Sequence, residues 1–283
     1  EAMAKANREQ AAGKLVRANI PGGYDTLRNL MGEEAVAYAC IDDPESYGEI
    51  AFDPEDNKWL DAHVELIDIG LEHAEGRYLV GMPDLIENID TLAAMRGNEK
   101  LLMDLVERPE WVKEKVWEIN RAFFEAFDYL YEWIKDEQGG NVFQAFGLWG
   151  PGKTCKVQCD FCCMISRAMF DDFVVPALAE QCEWLDYSMY HLDGTGAMHH
   201  LDSLLDIEAL DAIEWTPEAG LPKGGDPRWY DLYRRIKEGG KGVQAIGVAA
   251  DEVVPLIEAV GPEGLFICTG AETSAKGPAT SRE

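Results

Sequence analysis

Apolar residues from Trp59 onward follow two alternating spacings. Short apolar runs, typical of buried strands, are separated by longer segments in which apolar residues recur every three or four positions, as on one face of a helix. The strand candidates are 77–82, 142–146, 156–160, 184–193, 212–215, 243–246 and 265–267. The helix candidates are 59–73, 86–97, 99–107, 109–134, 167–184, 199–206, 227–237 and 251–260. Most neighbouring strands after residue 77 are therefore separated by a helix.

Strands that alternate with helices are expected to pair in parallel, because the helix returns the chain to the same end of the sheet. The pattern predicts an α/β protein with a (β/α)8 barrel of the TIM type, and an open doubly wound sheet is the alternative. We assign residues 77–283 to the barrel and residues 1–76 to a helical and irregular segment that packs on it. Two short strands are predicted within that segment, at 36–41 and 50–52.

Polar residues gather at the predicted carboxyl ends of the strands, the edge at which barrels carry their active sites. They are Asp84, Asp160, His191, Asp193, Glu214, Cys268 and Thr269. His191 and Asp193 are two residues apart in one strand and therefore share a face. They can serve as a pair of metal ligands, or as a structural pair in which the carboxylate satisfies a buried histidine.

Cys268, at the end of a later strand, adds a sulfur ligand to this pair. A set of one nitrogen, one oxygen and one sulfur ligand suits a catalytic zinc ion, which keeps a fourth position open for substrate. The sequence thus predicts a zinc site made of His191, Asp193 and Cys268.

Composition and charge restrict the partners of the protein. The 283 residues are 47% hydrophobic, enough for one large core. Acidic residues outnumber basic ones by 53 to 25, and the net charge of -28 argues against binding to nucleic acid or to an anionic membrane. The chain has no apolar run of about 18 residues and no signal-peptide pattern. Its seven cysteines do not suggest a disulfide framework, and we expect a cytoplasmic protein.

Two motif matches indicate other chemistry but lie in the wrong context. The segment from Gly147 to Thr154 fits the phosphate-loop pattern, yet a strand rather than a helix is predicted to follow it. Cys155, Cys159 and Cys162 have the spacing that holds a four-iron cluster in radical enzymes that use S-adenosylmethionine. A strand through this segment would spread the sulfurs too far apart, so we interpret these cysteines as buried packing residues.

Several motifs together resemble those of the uroporphyrinogen decarboxylase-like superfamily, over residues 77–269. They are Gly150-Pro-Gly-Lys-Thr154, Gln158-Cys-Asp-Phe161, Met164-Ile-Ser166, Tyr190-His-Leu-Asp-Gly194, His200-Leu-Asp-Ser-Leu-Leu205 and Ala212-Ile-Glu-Trp-Thr-Pro217. The resemblance implies a (β/α)8 barrel and either of two activities. One is decarboxylation of a porphyrinogen, but the arginine-containing segment that binds its carboxylates has no visible counterpart here.

The other activity is that of the corrinoid-dependent methyltransferases, which hold zinc through a His-x-Cys pair and a later cysteine. By this resemblance His191 is the histidine, Cys268 is the later cysteine, and Asp193 stands where the first cysteine is expected. We expect a methyl group to move between a methylcorrinoid, carried by a partner protein, and a small acceptor. The catalytic candidates are His191, Asp160 and Glu214, and the substrate-binding candidates are Asp84, Tyr190, His200 and Trp215.

A non-catalytic role is the third interpretation. The family's amino-terminal strand has no clear counterpart in this chain, and no closing helix is evident at its other end. We expect that the chain is truncated, that residues of the first 60 complete the sheet, or that a second copy of the chain does so in a homo-oligomer. Such a barrel can act as a docking platform for a corrinoid protein.

Overall fold

Within the described residues, four helices precede the sheet. The computed structural model describes residues 40–55 and 57–270. The helices are α1 (Lys58–Ala74), α2 (Asn88–Arg96), α3 (Asn98–Glu107) and α4 (Pro109–Ile134). The side chain of Asn57 caps α1 by accepting a hydrogen bond from the Leu60 amide, and Pro109 occupies the first turn of α4, where no amide donor is needed. All four predicted helices of this region are confirmed.

A parallel sheet of five strands forms the centre of the molecule. Its strands are β3 (Thr154–Gln158), β4 (Tyr187–Asp193), β5 (Ala212–Thr216), β6 (Gly242–Val248) and β7 (Leu265–Thr269). The helices that follow β3 to β6 are α5 (Arg167–Phe173), α6 (Val175–Trp184), α7 (Leu201–Leu205), α8 (Tyr230–Glu238) and α9 (Val253–Val260). An antiparallel hairpin, β1 (Asn141–Phe143) and β2 (Leu148–Gly150), precedes the sheet.

Each strand of the parallel sheet pairs with the strand that follows it in the chain, in the order β3-β4-β5-β6-β7. A doubly wound sheet would reverse its strand order at a switch point, and no reversal occurs among the described residues. The singly wound order is the one that parallel barrels use, so this sheet is compatible with part of such a barrel. The parallel α/β prediction is confirmed.

Some predicted elements are shifted or absent. No strand forms at residues 50–52, and the segment 77–82 contributes a single bridge, from Met82 to Phe143. The strand predicted at 156–160 runs from Thr154 to Gln158 instead, because a 3₁₀ turn, Asp160–Met164, begins after it. The predicted helix at 167–184 is two helices, since Pro176 has no amide to continue the first one.

Three other predictions need comment. The helix predicted at 199–206 is a 3₁₀ turn, Thr195–His200, followed by α7. Residues 36–39 of the predicted first strand, and the ends of the chain at 1–35 and 271–283, lie outside the described residues. Within 40–55 and 57–270, no helix combines the length and the apolar character needed to cross a bilayer.

One hydrophobic core extends through the described chain. It includes Ile41 and Leu60 from the amino-terminal part and Val260 from the last helix. Side chains alternate between the two faces of each strand, so one face of the sheet packs against the helices. The other face carries the polar residues described next.

Candidate metal centre

A row of polar side chains crosses one face of the parallel sheet. Strand register aligns Gln158 with His191, His191 with Glu214, and Glu214 with Gln244. Three of these residues, Gln158, Glu214 and Gln244, are buried. Burying polar groups costs free energy unless they are hydrogen-bonded, so this row marks the face at which a functional site is expected.

His191 is held by a buried carboxylate on the neighbouring strand. Its Nδ1 lies 2.5 Å from Oε2 of Glu214, a residue with 0% exposure. The other carboxylate oxygen of Glu214 accepts a hydrogen bond of 2.7 Å from the Thr216 hydroxyl. These contacts fix the orientation of the imidazole ring and leave Nε2 for another partner.

The electrostatic surroundings of His191 are negative. Burial alone would lower its pKa, but the hydrogen bond that Nδ1 donates to Glu214 and the charges of Glu214, Asp193 and Asp160 outweigh burial and raise the pKa. The ring of Phe146 covers one side of the imidazole, with 5.0 Å between the ring centres. The site is therefore suited to a positive charge at the position that Nε2 faces.

Asp160, His191 and Asp193 form a three-residue group. One ligand atom from each residue lies within 4.8 Å of the others. Asp160 comes from the 3₁₀ turn after β3, and the other two come from the end of β4. Burial is the main cause that raises the pKa of Asp160, and the charge of Asp90 adds to it. Two carboxylates and one imidazole can together bind a divalent cation.

Cys268 does not belong to this group. It lies in β7, three strands away from β4 along the sheet, and its sulfur accepts a hydrogen bond of 3.3 Å from Nε2 of Gln244. The third side chain beside His191 and Asp193 is instead Asp160, which the sequence predicted as a catalytic residue. The difference arises because β3, which leads to Asp160, is the direct neighbour of β4.

A second buried cluster of charges lies beside the first and contains Asp84. Lys156, with 1% exposure, places Nζ 3.0 Å from Asp84 and 3.3 Å from Glu87. Burial raises the pKa of Glu87 to about 8; Lys156 opposes this effect, and the charges of Asp84 and Asp90 reinforce it. Glu87 also accepts a hydrogen bond of 2.7 Å from the Gln158 amide, which ties the cluster to β3.

Asp90, in the first turn of α2, connects the helix to the candidate metal centre. Its carboxylate accepts hydrogen bonds from the backbone amides of Asp160, at 2.7 Å, and Phe161, at 2.8 Å. Sequence reasoning missed Asp90, Glu87, Lys156 and Gln158. The one available signal was that Lys156 and Gln158 alternate with Cys155 and Val157, which places two polar side chains on one face of a buried strand.

Three predicted substrate-binding residues lie elsewhere, all of them buried. Tyr190 and Trp215 alternate with His191 and Glu214 and so face the helices, where Trp215 packs 4.9 Å from the ring of Trp229. The ring of His200 stacks on Phe170 at 4.3 Å, and its Nε2 lies 2.9 Å from the Cys162 carbonyl. Burial is the main cause that lowers the pKa of His200. The contacts of these side chains are those of core residues.

The two competing motifs take the structures expected of ordinary packing. The segment from Gly147 to Thr154 forms β2 and the start of β3, and Lys153 pairs with Asp128 at 2.6 Å. Cys155 and Cys159 are buried, and burial raises the pKa of both thiols. Within the part of the chain that the structure describes, no group of three metal-binding side chains includes a cysteine.

Comparisons with known proteins find a likeness of fold. No protein-family profile matches the sequence, and no curated protein matches it. Among solved structures, a methyltransferase from Methanosarcina mazei matches with a TM-score of 0.60 and 11% sequence identity. The match covers 97% of this chain and 79% of that chain. At this identity the likeness is one of fold.

Proposed function

We propose that the protein is a methyltransferase of the uroporphyrinogen decarboxylase-like kind, with its sheet closed into a (β/α)8 barrel. Its reaction moves a methyl group between a corrinoid, carried by a partner protein, and a small acceptor. The observation that carries the proposal is the group of Asp160, His191 and Asp193 at the carboxyl edge of a parallel sheet. The fold-level likeness to a methyltransferase supports it.

The three side chains fit a divalent cation. The Nδ1 of His191 is engaged by Glu214, so the ring presents Nε2 as a ligand, and the two carboxylates supply oxygen atoms. Zinc is the metal that the sequence motifs imply. When bound, it would act as a Lewis acid that lowers the pKa of an acceptor group. The carboxylates of Asp160 and Asp193 favour a cation at the position that Nε2 of His191 faces.

The protein's own residues would orient this site and select its substrates. Glu214 fixes the imidazole of His191, and Phe146 limits the access of water to one side of the ring. Six acidic side chains line the region around Lys156 and His191. They are Asp84, Glu87, Asp90, Asp160, Asp193 and Glu214. A porphyrinogen with many carboxylates would meet a repulsive field here, so methyl transfer is better supported than decarboxylation.

Metal analysis of four proteins tests the site. We expect about one metal ion per chain in the native protein, by analogy with catalytic zinc sites, and its loss in His191→Ala and Asp160→Asn. Cys268→Ala, as the control, should retain the metal. If Cys268→Ala loses the metal and Asp160→Asn retains it, the third ligand is Cys268 and not Asp160. A folded native protein that binds no added zinc would contradict the metal site.

Methyl transfer is tested with free methylcobalamin and a set of small thiols. The loss of the methylcobalamin absorbance should require the metal-loaded protein and should be absent in His191→Ala. Metal-loaded protein that transfers no methyl group in either direction would contradict the proposed activity while leaving the metal site intact.

A further inference from the structure

The position of Asp160 is not set by the sheet alone. Ladder pairing of β3 ends at Gln158, and Asp160 begins a short 3₁₀ turn, Asp160–Met164. His191, in contrast, is paired on both sides, and Asp193 pairs with Thr216 of β5. Some other contact must therefore hold the Asp160 carboxylate near the other two side chains.

Asp90 makes this contact through the backbone. Its Oδ2 accepts the Asp160 amide at 2.7 Å and its Oδ1 accepts the Phe161 amide at 2.8 Å, so both carboxylate oxygens hold the first turn of the 3₁₀ segment. Hydrogen bonds from backbone amides to a carboxylate are charge-assisted and therefore stronger than neutral ones. They fix the backbone from which the Asp160 side chain extends.

Gln158 makes a second connection between the two carboxylates. Its Nε2 lies 3.3 Å from Oδ2 of Asp90 and 3.2 Å from Oδ2 of Asp160. A side-chain amide carries two N–H donors, so each carboxylate can receive one. Gln158 is buried, which restricts the amide to this bridging position.

The arrangement has an electrostatic cost that a bound cation would offset. Asp90 and Asp160 both bind the side-chain amide of Gln158, and Asp193 adds a further negative charge near Asp160. Carboxylates held this close repel each other unless positive charge is present. A divalent cation between Asp160, His191 and Asp193 would supply that charge.

We propose that Asp90 is a positioning residue that holds Asp160 as a metal ligand, through the Asp160 backbone amide and through Gln158. The proposal rests on the metal site of the proposed function. It extends that site to α2, an element that carries none of the ligands.

A double-mutant cycle tests the proposal by zinc affinity rather than by activity. Metal-free proteins are titrated with Zn²⁺ in competition with a chromophoric chelator. We expect Asp90→Ala to bind zinc 10- to 100-fold more weakly, roughly the loss seen when outer partners of metal ligands are removed. The Asp160→Asn background, which loses its metal on purification, is titrated at higher Zn²⁺ concentrations; there Asp90→Ala should change the affinity by less than about twofold, because the residue through which it acts is already gone.

Glu218→Gln is the control for charge. Glu218 lies after β5 and accepts hydrogen bonds from the amide and hydroxyl of Thr195, so the variant removes a negative charge without disturbing Asp160. Its zinc affinity should stay close to that of the native protein. Gln158→Met, a second variant that keeps both backbone hydrogen bonds of Asp90, should weaken zinc binding less than Asp90→Ala does.

The outcomes separate this proposal from the metal site itself. If the native protein binds no zinc, both are wrong. If it binds zinc and Asp90→Ala binds equally well, the role of Asp90 is wrong and the metal site stands. If Asp90→Ala lowers the zinc affinity equally in the native and Asp160→Asn backgrounds, Asp90 acts only by its charge and the positioning role is wrong. If Asp90→Ala does not fold, the zinc affinity of Gln158→Met is the test instead. A zinc affinity equal to that of the native protein overturns the proposal.

Discussion

The Nδ1 atom of His191 lies 2.5 Å from the Oε2 atom of Glu214, across two directly paired parallel strands. Because Glu214 is buried and also accepts the Thr216 hydroxyl, its carboxylate has little freedom to move. The pair therefore sets both the orientation of the imidazole and the nitrogen that it offers.

Glu214→Gln should weaken zinc binding by roughly 10- to 100-fold, because the neutral amide no longer increases the basicity of His191. The affinity is measured by the same chelator competition. Thr216→Val, which removes one hydrogen bond but keeps the Glu214 charge, should have a smaller effect. Equal affinities of Glu214→Gln and the native protein would show that Glu214 does not act on the metal site.

Above the pKa of Glu87, about 8, Lys156→Met should destabilise the protein by about 3–5 kcal/mol, because the ionised Asp84 and Glu87 would lose their buried counter-charge. Urea denaturation measures the free energy of unfolding. Lys135→Met, at an exposed pair with Glu132, should leave the free energy of unfolding nearly unchanged. Adding Glu87→Gln to Lys156→Met should recover part of the loss, and a purely additive double variant would contradict the charge explanation.

Stability should depend on pH through Glu87. Its pKa is raised by burial from 4.5 to about 8, so the folded state binds one proton more than the unfolded state between these values. The contribution of Glu87 is fully present below pH 4.5 and is lost as pH rises through about 8. The difference in unfolding free energy between the native protein and Glu87→Gln, in the presence of a chelator, should fall over this range. A constant difference would contradict the raised pKa.

Cysteine reactivity should follow burial. In the folded protein a thiol reagent should react readily with the exposed Cys40 and Cys163 and more slowly with the half-buried Cys268. The four buried cysteines should react only after unfolding; they are Cys155, Cys159, Cys162 and Cys182. Burial raises the pKa of Cys182 to about 12, which keeps its thiol neutral. Fast reaction of Cys155 or Cys159 would contradict their assignment as packing residues.

Asp193→Cys should shift metal preference from manganese towards zinc, because a thiolate is a softer ligand than a carboxylate. The ratio of the two affinities measures the shift. Glu218→Cys, which adds a thiol at the same edge but outside the three-residue group, should leave the ratio unchanged. An unchanged ratio in Asp193→Cys would mean that residue 193 is not a ligand.

Periodic spacing alone predicted most of the fold. The apolar positions of α4 recur over 26 residues, and the alternation of strands and helices after residue 140 required parallel pairing. Hydrophobic spacing failed to predict the ends of elements where local backbone geometry determines them. The 3₁₀ turn at Asp160 depends on amide hydrogen bonds to the distant Asp90, and the break before Pro176 depends on a missing amide. Hydrophobic periodicity reports neither of these features.

The candidate metal centre was only partly predictable. His191 and Asp193 share a strand face by the two-residue period, so their proximity follows from the sequence. The position of Asp160 depends on the turn after β3, and Asp90 contacts it from a helix near the start of the described chain. No local pattern encodes a contact between such distant segments, and only tertiary packing creates it.

The hydrogen bond between the Asp160 amide and Asp90 joins two positions that are 70 residues apart in the chain. Closing a loop of this length costs entropy, which is repaid only when the rest of the tertiary structure forms. A nascent or partly folded chain would therefore lack the complete ligand group and would capture a cation poorly. Metal uptake would come after the docking of α2, so that the bound ion stabilises only molecules that have finished folding.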